Sequence, residues 1–391
     1  MSTATESHTI EESANPASDE NADARSGRLL SLDAFRGITV AAMILVNNPG
    51  TWEAIYPPLR HAEWNGWTPT DLIFPFFLFI VGVSISLALA RRVESGGAQR
   101  DLFLKIIKRT FIIFGLGLVI YGFPFYQLSM IRIPGVLQRI ALCYLIAAIL
   151  FLKTGWRAQA LIASALLIVY WLAMMVIPVP GYGAGDLSKE GNLAAYIDRA
   201  LLSGHLWTPV YDPEGLLSTV PAIATTIFGV LAGQWIGSRR EQMEKVTGLF
   251  VAGAFAIIIG WAWGGLFPIN KALWTSSYTV FTAGMALQFS ALFYWLIDVK
   301  GYRRWATPFV VFGLNAIAIY ALSSIIEIAI DVWKVTGRGG MPVSVKEFLY
   351  DQIFASWALP VNASLLWAVS YVLLWFGLAG LLYWRRIFIK V

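Results

Sequence analysis

The chain has 391 residues, of which 57% are hydrophobic and only 14% are charged, with a formal net charge of +5 at pH 7. Soluble domains carry roughly 25% charged residues, so this composition excludes an ordinary soluble protein. A single cysteine, Cys143, excludes an intrachain disulfide and a cysteine-based zinc site. The sequence predicts an integral membrane protein whose surroundings are a lipid bilayer, and nothing in it indicates a nucleic-acid partner.

The N-terminal segment differs from the rest of the chain. Its first 24 residues contain six acidic residues and no Lys or Arg. It has neither the basic region nor the apolar region of a signal peptide. We expect residues 1–27 to form a disordered cytoplasmic tail and residues 28–391 to form one membrane domain.

Ten apolar runs follow, and each is long enough to cross about 30 Å of hydrocarbon as a helix. They lie at 32–48, 71–90, 104–122, 133–152, 158–178, 217–237, 246–266, 274–297, 307–330 and 363–384. The runs are continuous rather than alternating, which favours helices over a barrel. The predicted fold class is therefore all-α, a polytopic membrane protein with about ten transmembrane helices.

The positive charges predict the orientation of these helices. With the N-terminus in the cytoplasm, 19 Lys and Arg residues fall on the inner side and 8 on the outer side. Cytoplasmic loops carry the excess of Lys and Arg, so both termini are expected inside. The long segments 49–70, 179–216 and 331–362 are then outside. Residues 189–203 have apolar positions near helical spacing, which predicts a short amphipathic helix on the outer face.

His61 and Asp71 flank a polar loop at the mouth of the second predicted span, with nine residues between them. A carboxylate at that depth is costly unless it is paired, and an imidazole is a favourable partner. Such a pair fixes the histidine tautomer and leaves its other nitrogen free to act as a base. Alternatively, Asp71 caps the helix with Thr68 and Thr70 beside it, and both interpretations can hold together.

Other polar residues lie at span ends. Asn47 closes the first span, where it serves either a turn or the stabilisation of an oxyanion beside a reactive histidine. Asp33 and Arg36 are spaced to pair on one helix. Gln138 and Arg139 lie inside the fourth span, where an arginine is expected to face the bundle interior and bind an anion.

A further polar group, Asn270, Lys271 and Trp274, lies at an outer mouth, where a lone lysine is also typical of a plain interfacial residue. Among metal sites, the sequence offers only His61 with His205 and Asp212 or Glu214 as a zinc set. Two histidines and one cysteine disfavour it. Phosphate-binding loops, dinucleotide-binding glycine motifs and His-Glu-x-x-His are absent from the sequence.

Several motifs together resemble one known family. They are RLLSLDAFRGITVAAMILVNNPG, RHAEWNGWTPTDLIFPFFLFIVGVSI, RIPGVLQRIALCYL, AAYIDRALLSGHLWTPVYDPEGLLSTV and PINKALWTSSYTVFTAG. In this order they are similar to the heparan-α-glucosaminide N-acetyltransferases and their bacterial relatives, a branch of the membrane acyltransferases. The likeness runs from about Arg28 to the C-terminus. Lysosomal members have an additional luminal domain and a preceding helix, so we expect a bacterial inner-membrane core.

The resemblance implies a transfer across the membrane. Acetyl-CoA, a co-substrate, is supplied on the cytoplasmic side, and the amine of a glucosamine-like sugar or glycan accepts the acetyl group on the other side. The family's catalytic histidine corresponds to His61, and its conserved-motif asparagine, aspartate and arginine correspond to Asn47, Asp71 and Arg139. Asn48-Pro49 replaces an aromatic-glycine pair of the family, which implies a different outer pocket. No metal is implied.

The expected contacts form two sets. CoA phosphates require cations, and we expect the CoA-binding residues to be Arg36, Arg91, Arg92, Gln138 and Arg139. We expect the acceptor-binding residues to be Trp64, Asn65, Asn270, Lys271 and Trp274. Alternatively, the cations on the cytoplasmic side serve only to set the orientation of the helices in the membrane. The competing function is a transporter or flippase for a sugar or lipid-linked sugar. Two mechanisms stay open, an acetyl-histidine intermediate and direct transfer. A larger acyl group than acetyl and a homodimer also stay open.

Overall fold

The computed structural model describes residues 29–94, 99–337 and 340–389. The predicted tail, residues 1–27, lies outside this range. The described chain is mostly helical, and its one sheet is the antiparallel pair β1 (Lys334–Thr336) and β2 (Pro342–Ser344), with Val335 opposite Val343. The predicted all-α class is confirmed.

The helices follow in chain order, with short 3-10 turns at Pro57–Leu59, Pro69–Leu72 and Arg304–Ala306 and π turns at Tyr294–Val299 and Asp351–Ala355. They are α1 Leu30–Asn47, α2 Ile73–Glu94, α3 Gln99–Gly122, α4 Val136–Lys153, α5 Trp156–Val176, α6 Leu193–Leu202, α7 Thr219–Gly237, α8 Gln242–Trp263, α9 Ser276–Phe293, α10 Thr307–Leu314, α11 Ala316–Val332, α12 Val345–Tyr350 and α13 Pro360–Trp384.

Eight helical segments of the described chain are long and apolar enough to cross a membrane, or up to nine if one bent pair is a single span. The predicted span 104–122 lies within α3, a 24-residue helix that falls outside those eight. It carries Lys105, Lys108 and Arg109 in its first half. These charges explain the difference, since each is costly at membrane depth.

The prediction of one continuous helix over 307–330 is wrong. The chain bends by 70° between α10 and α11, and Asn315 lies at the bend with φ −115° and ψ 28°. Its amide Nδ2 donates to the Ile387 carbonyl at 3.1 Å, and its Oδ1 accepts from the Ile389 N–H at 2.7 Å. Asparagine side chains that bond backbone in this way compete with helical hydrogen bonding.

Helices α2 and α7 are in backbone contact because glycines face each other. A Cβ at Gly82 of α2 would collide with the Thr226 carbonyl of α7, and one at Gly229 would collide with the Phe79 carbonyl. Small residues allow this close approach inside membranes, where packing drives helix association. The contact fixes α2, and with it the polar loop that precedes α2, against the centre of the bundle.

The connections separate the bundle into two ends. We call the end that carries segments 48–72, 123–135, 177–218 and 264–275 the loop end, and the opposite one the short-loop end. The predicted amphipathic helix is confirmed as α6 at the loop end, where the Asn192 side chain caps it by accepting from the Ala195 N–H at 2.8 Å. Cys143 is fully buried in α4.

Candidate active site

His61 and Asp71 are in direct contact at the loop end. The His61 Nδ1 lies 2.6 Å from Asp71 Oδ1. The imidazole is 43% exposed, whereas the Asp71 carboxylate is 1% exposed. A buried carboxylate therefore holds an open histidine, because it accepts the Nδ1 proton and so favours the tautomer with an unprotonated Nε2. This is the pair that the spacing predicted.

The same carboxylate also caps the helical turn ahead of α2. Its Oδ2 accepts from the Thr68 and Ala62 backbone N–H groups, each at 3.0 Å, and from the Thr68 hydroxyl at 3.2 Å. Thr68 and Asp71 form a capping box. The Tyr278 hydroxyl donates to the Asp71 carbonyl at 2.5 Å. Asp71 thus both contacts His61 and caps the helical turn, and backbone groups hold it on two sides.

Lys271 is the third charged group of this cluster. Its Nζ lies 3.0 Å from His61 Nδ1, 3.1 Å from His61 Nε2 and 3.7 Å from Asp71 Oδ1. Burial lowers the pKa of the Lys271 ammonium, and the Asp71 carboxylate opposes this shift. The structure therefore brings together one carboxylate, one ammonium and one imidazole, a set of mixed charge around a single reactive ring.

A hydrogen-bonded loop positions Lys271. Within it, Asn270 accepts from the Leu273 N–H at 2.9 Å and its own N–H donates to the Thr275 hydroxyl at 3.1 Å. The Asn270 amide also donates to Asn65 at 3.2 Å, which joins the loop to the histidine loop. Trp274 adopts a positive φ of 51° and is fully buried. The predicted residues Asn65, Asn270 and Lys271 are thus brought together around His61.

Trp64 and Trp274 each bond another segment of the chain, and their role in acceptor binding stays a prediction. The Trp64 indole donates to the Leu187 carbonyl at 2.8 Å and packs edge-on against Tyr211 at 5.3 Å. Trp274 donates to the Thr225 hydroxyl at 3.1 Å. Each indole therefore ties the histidine end of the bundle to another segment of the chain.

Asn47 is the last residue of α1 and is half-buried. Its side chain makes no hydrogen bond within the described chain. Its neighbour Asn48 is buried and donates to the Ile44 carbonyl at 2.7 Å, which leaves its Oδ1 without a partner there. The catalytic assignment of Asn47 stays a prediction.

Gln138 and Arg139 also lie at the loop end, near the start of α4. Arg139 is 1% exposed, donates to Ser218 at 2.5 Å and to the Gly215 carbonyl at 3.2 Å, and lies over the Trp274 ring at 5.0 Å. Its Nε and Nη1, and both amide atoms of Gln138, are buried without a partner among the described residues. The structure thus separates this pair from Arg36, with which the sequence grouped it.

Arg36 lines a different site, a cavity of about 510 Å³ that we call the cationic cavity. Five cationic side chains line it: Arg36, Arg92, Lys105, Lys108 and Arg109. Its apolar walls include Phe77, Val81 and Ile85 of α2. From Phe77 to Arg92 the helix rises by roughly 22 Å at ~1.5 Å per residue. The cavity therefore extends from the short-loop end far into the bundle.

Sequence reasoning left Lys105 and Lys108 out of the CoA-binding set. Their spacing with Arg109 places all three side chains on one face of a helix. This spacing is the sequence feature that predicts a shared cationic surface. Arg36 also bonds Asp33 at 2.8 Å and Ser84 at 2.7 Å, while Arg91 is exposed and does not line the cavity.

A second charged cluster at the loop end was not anticipated. Arg132 donates to both carboxylate oxygens of Asp212, at 2.8 and 2.5 Å, and to Glu214 at 2.5 Å. His205 bonds the Ile131 carbonyl at 2.7 Å. The residues of the disfavoured zinc set are thus engaged elsewhere, and no three His, Cys, Asp or Glu side chains of residues 29–94, 99–337 and 340–389 are grouped to hold a metal.

The chain is similar to one family of known proteins. The family model described as heparan-alpha-glucosaminide N-acetyltransferase, catalytic, matches residues 28–260. The heparan-alpha-glucosaminide N-acetyltransferase of Mus musculus is 32% identical over 94% of this chain and 61% of its own length. The protein of that name from Homo sapiens is 31% identical over 93% of this chain and 60% of its own. The chain thus spans about three-fifths of the length of these relatives.

Proposed function

The chain belongs to the heparan-alpha-glucosaminide N-acetyltransferase family, and on that premise we propose that it is a membrane acetyltransferase. Its donor is acetyl-CoA and its acceptor is the amine of a glucosamine-like sugar or glycan. The observation that carries the proposal is the open His61 ring held at 2.6 Å by the buried Asp71 carboxylate. Acyl transfer to an amine requires a base or nucleophile of this kind.

His61 acts through Nε2 in this proposal. Asp71 holds the Nδ1 proton, so the Nε2 lone pair is available either to take the amine proton or to carry the acetyl group. A carboxylate that is itself fixed by two backbone N–H groups keeps the ring in one orientation. Asn47 remains a candidate for polarising the thioester carbonyl.

The cationic cavity fits the donor. Its five cations suit the phosphates of CoA, and its apolar walls suit the arm that carries the thioester. The cavity reaches Phe77, six residues after Asp71, which corresponds to roughly 9 Å along a helix. A donor held by its phosphates at the short-loop end would thus extend toward His61.

The orientation proposed from the charge bias places the short-loop end in the cytoplasm, with His61 outside. Cysteine accessibility in intact cells tests it, with Glu63→Cys at the loop end and Glu241→Cys at the short-loop end, both at exposed positions. The native Cys143 is buried and does not compete. An impermeant maleimide should label position 63 and not position 241, and the reverse pattern contradicts the orientation.

The bend at Asn315 favours one alternative, a sugar transporter or flippase, because broken helices are common in transporters. Purified protein incubated with radiolabelled acetyl-CoA, with and without glucosamine, separates the two. Transfer of label to the sugar with release of free CoA supports the acetyltransferase. Uptake of sugar by proteoliposomes with no acetyl transfer supports the transporter.

A further inference from the structure

The position of the Lys271 ammonium relative to the His61 ring is unusual for a hydrogen bond. Its distances to the two ring nitrogens are nearly equal, 3.0 and 3.1 Å. These nitrogens flank Cε1, so an ammonium in the ring plane at both distances would collide with that carbon. The ammonium therefore lies over the ring face, and the Nε2 lone pair, which lies in the ring plane, stays open.

The surroundings make this ammonium a strong local charge. Lys271 has a side chain that is only 20% exposed, and charge–charge interactions strengthen as water is excluded. Its partner Asp71 is 3.7 Å away and already accepts three hydrogen bonds from the Thr68 and Ala62 region in addition to the His61 contact. Lys271 is thus held beside the reacting nitrogen, 3.7 Å from a carboxylate that opposes the lowering of its pKa by burial and so favours its charged form.

We propose that Lys271 is a catalytic residue that stabilises the negative charge on the thioester carbonyl oxygen during transfer, an inference that rests on the proposed acetyltransferase function. A tetrahedral carbon bonded to Nε2, or an amine attacking next to Nε2, places its oxygen out of the imidazole plane. An ammonium over the ring face 3.1 Å from Nε2 is in the region that this oxygen enters. Preorganised donors of this kind are among the largest contributions to acyl-transfer catalysis.

The chemistry balances without any further reactant. As the new bond to the carbonyl carbon forms, the C=O electron pair moves onto oxygen, and it returns when the C–S bond breaks. In direct transfer the sulfur leaves as a thiolate and takes up the proton that the acceptor amine loses, relayed by His61. Through an acetyl-histidine the thiolate leaves after Nε2 has bonded to the carbonyl carbon; the amine then displaces Nε2, which takes the amine proton and passes it to the thiolate. Lys271 keeps its proton throughout and contributes only charge. Its effect is therefore confined to the transition state, unlike that of an acceptor-binding lysine.

That difference sets the experiment. Lys271→Met removes the charge at similar length, and we expect kcat to fall by about 10²–10³, the usual cost of losing one oxyanion donor, with KM for glucosamine little changed. Lys271→Arg keeps a cation and should retain more turnover than Lys271→Met. Lys334→Met, on the exposed strand β1, is the matched control and should behave as wild type.

Each variant is purified in detergent and compared at matched melting temperature. A rise in KM for glucosamine with normal kcat makes Lys271 an acceptor-binding residue and overturns the proposal. Equal turnover of Lys271→Arg and Lys271→Met also overturns it, and this comparison remains valid if the Met variant is less stable. Absence of acetyl transfer by the wild-type protein overturns the proposed function itself, whereas an active wild type with an active Lys271→Met overturns this assignment alone.

Discussion

The two ends of α2 carry charge in opposite ways. Before its N-terminus, Asp71, His61 and Lys271 contact one another, and the carboxylate is fixed by backbone N–H groups. Near its C-terminus, Arg92 joins four other cations around an open cavity of about 510 Å³. One end thus has three charged or titratable side chains in mutual contact, and the other has five cations around a cavity, of which Arg36 also bonds Asp33.

The loop end and the cationic cavity are therefore suited to different tasks. A compensated cluster can hold one ring in one orientation at little electrostatic cost, as chemistry at a single atom requires. A cavity lined by five cations gains most when a polyanion enters it, as recognition of phosphates requires. Substitutions at the loop end should therefore change kcat, and substitutions in the cationic cavity should change KM for acetyl-CoA.

The largest effect is expected for His61→Ala, which removes the reacting nitrogen. A positioned base contributes roughly 10²–10⁴ in rate, and loss of an acetyl carrier costs more. Folding and acetyl-CoA binding should stay nearly normal, because the ring is exposed and does not line the cationic cavity. Transfer assays at matched melting temperature measure this. If the variant keeps more than about a tenth of wild-type turnover, the loss is smaller than the low end of the range for a positioned base, and His61 is not the catalytic residue.

Asp71→Asn should have a smaller effect on rate than His61→Ala or Lys271→Met. The imidazole remains, but the amide no longer fixes its tautomer, and loss of such orienting carboxylates costs about 10–100-fold in histidine metal sites. Stability should also fall, because Asp71 accepts from Thr68 and Ala62. Turnover and melting temperature are measured together. A rate loss larger than that of His61→Ala would show that the carboxylate does more than orient the ring.

Lys105→Gln with Lys108→Gln tests the other end. Charge-assisted hydrogen bonds contribute about 1.5–3 kcal/mol, so each lost phosphate contact should raise KM for acetyl-CoA by roughly tenfold or more. Turnover at saturating donor should be nearly unchanged. Lys153→Gln at the end of α4, which does not line the cavity, is the control. An unchanged KM with reduced kcat would contradict the division between the two ends.

The smallest kinetic effect is expected for Arg139→Lys. The guanidinium bonds Ser218 and the Gly215 carbonyl and lies over Trp274, contacts that a lysine cannot reproduce together. We expect the melting temperature to fall while KM for acetyl-CoA stays at the wild-type value, because Arg139 is not part of the cationic cavity. A large rise in that KM would instead restore the CoA-binding role that the family resemblance implies.

The sequence allowed the helices and the His61–Asp71 contact to be predicted, for physical reasons that can be named. Apolar runs of sufficient length have one structure in a bilayer, and a carboxylate at a helix start needs a partner that is close in sequence. Lys271 is 210 residues from His61, so no local rule could bring them together. The sequence grouped Arg139 with Arg36 as cations expected to bind CoA, and the structure places Arg139 near the loop end and Arg36 at the cationic cavity.

The bend at Asn315 has a practical consequence for anyone who purifies this protein. Asn315 holds the backbone of Ile387 and Ile389, and Ile389 forms part of the cationic cavity wall. An affinity tag fused downstream of Ile389 would therefore lie next to the cationic cavity, where we propose that the donor binds. Kinetic constants for acetyl-CoA obtained with such a tag should be compared with those measured after its proteolytic removal.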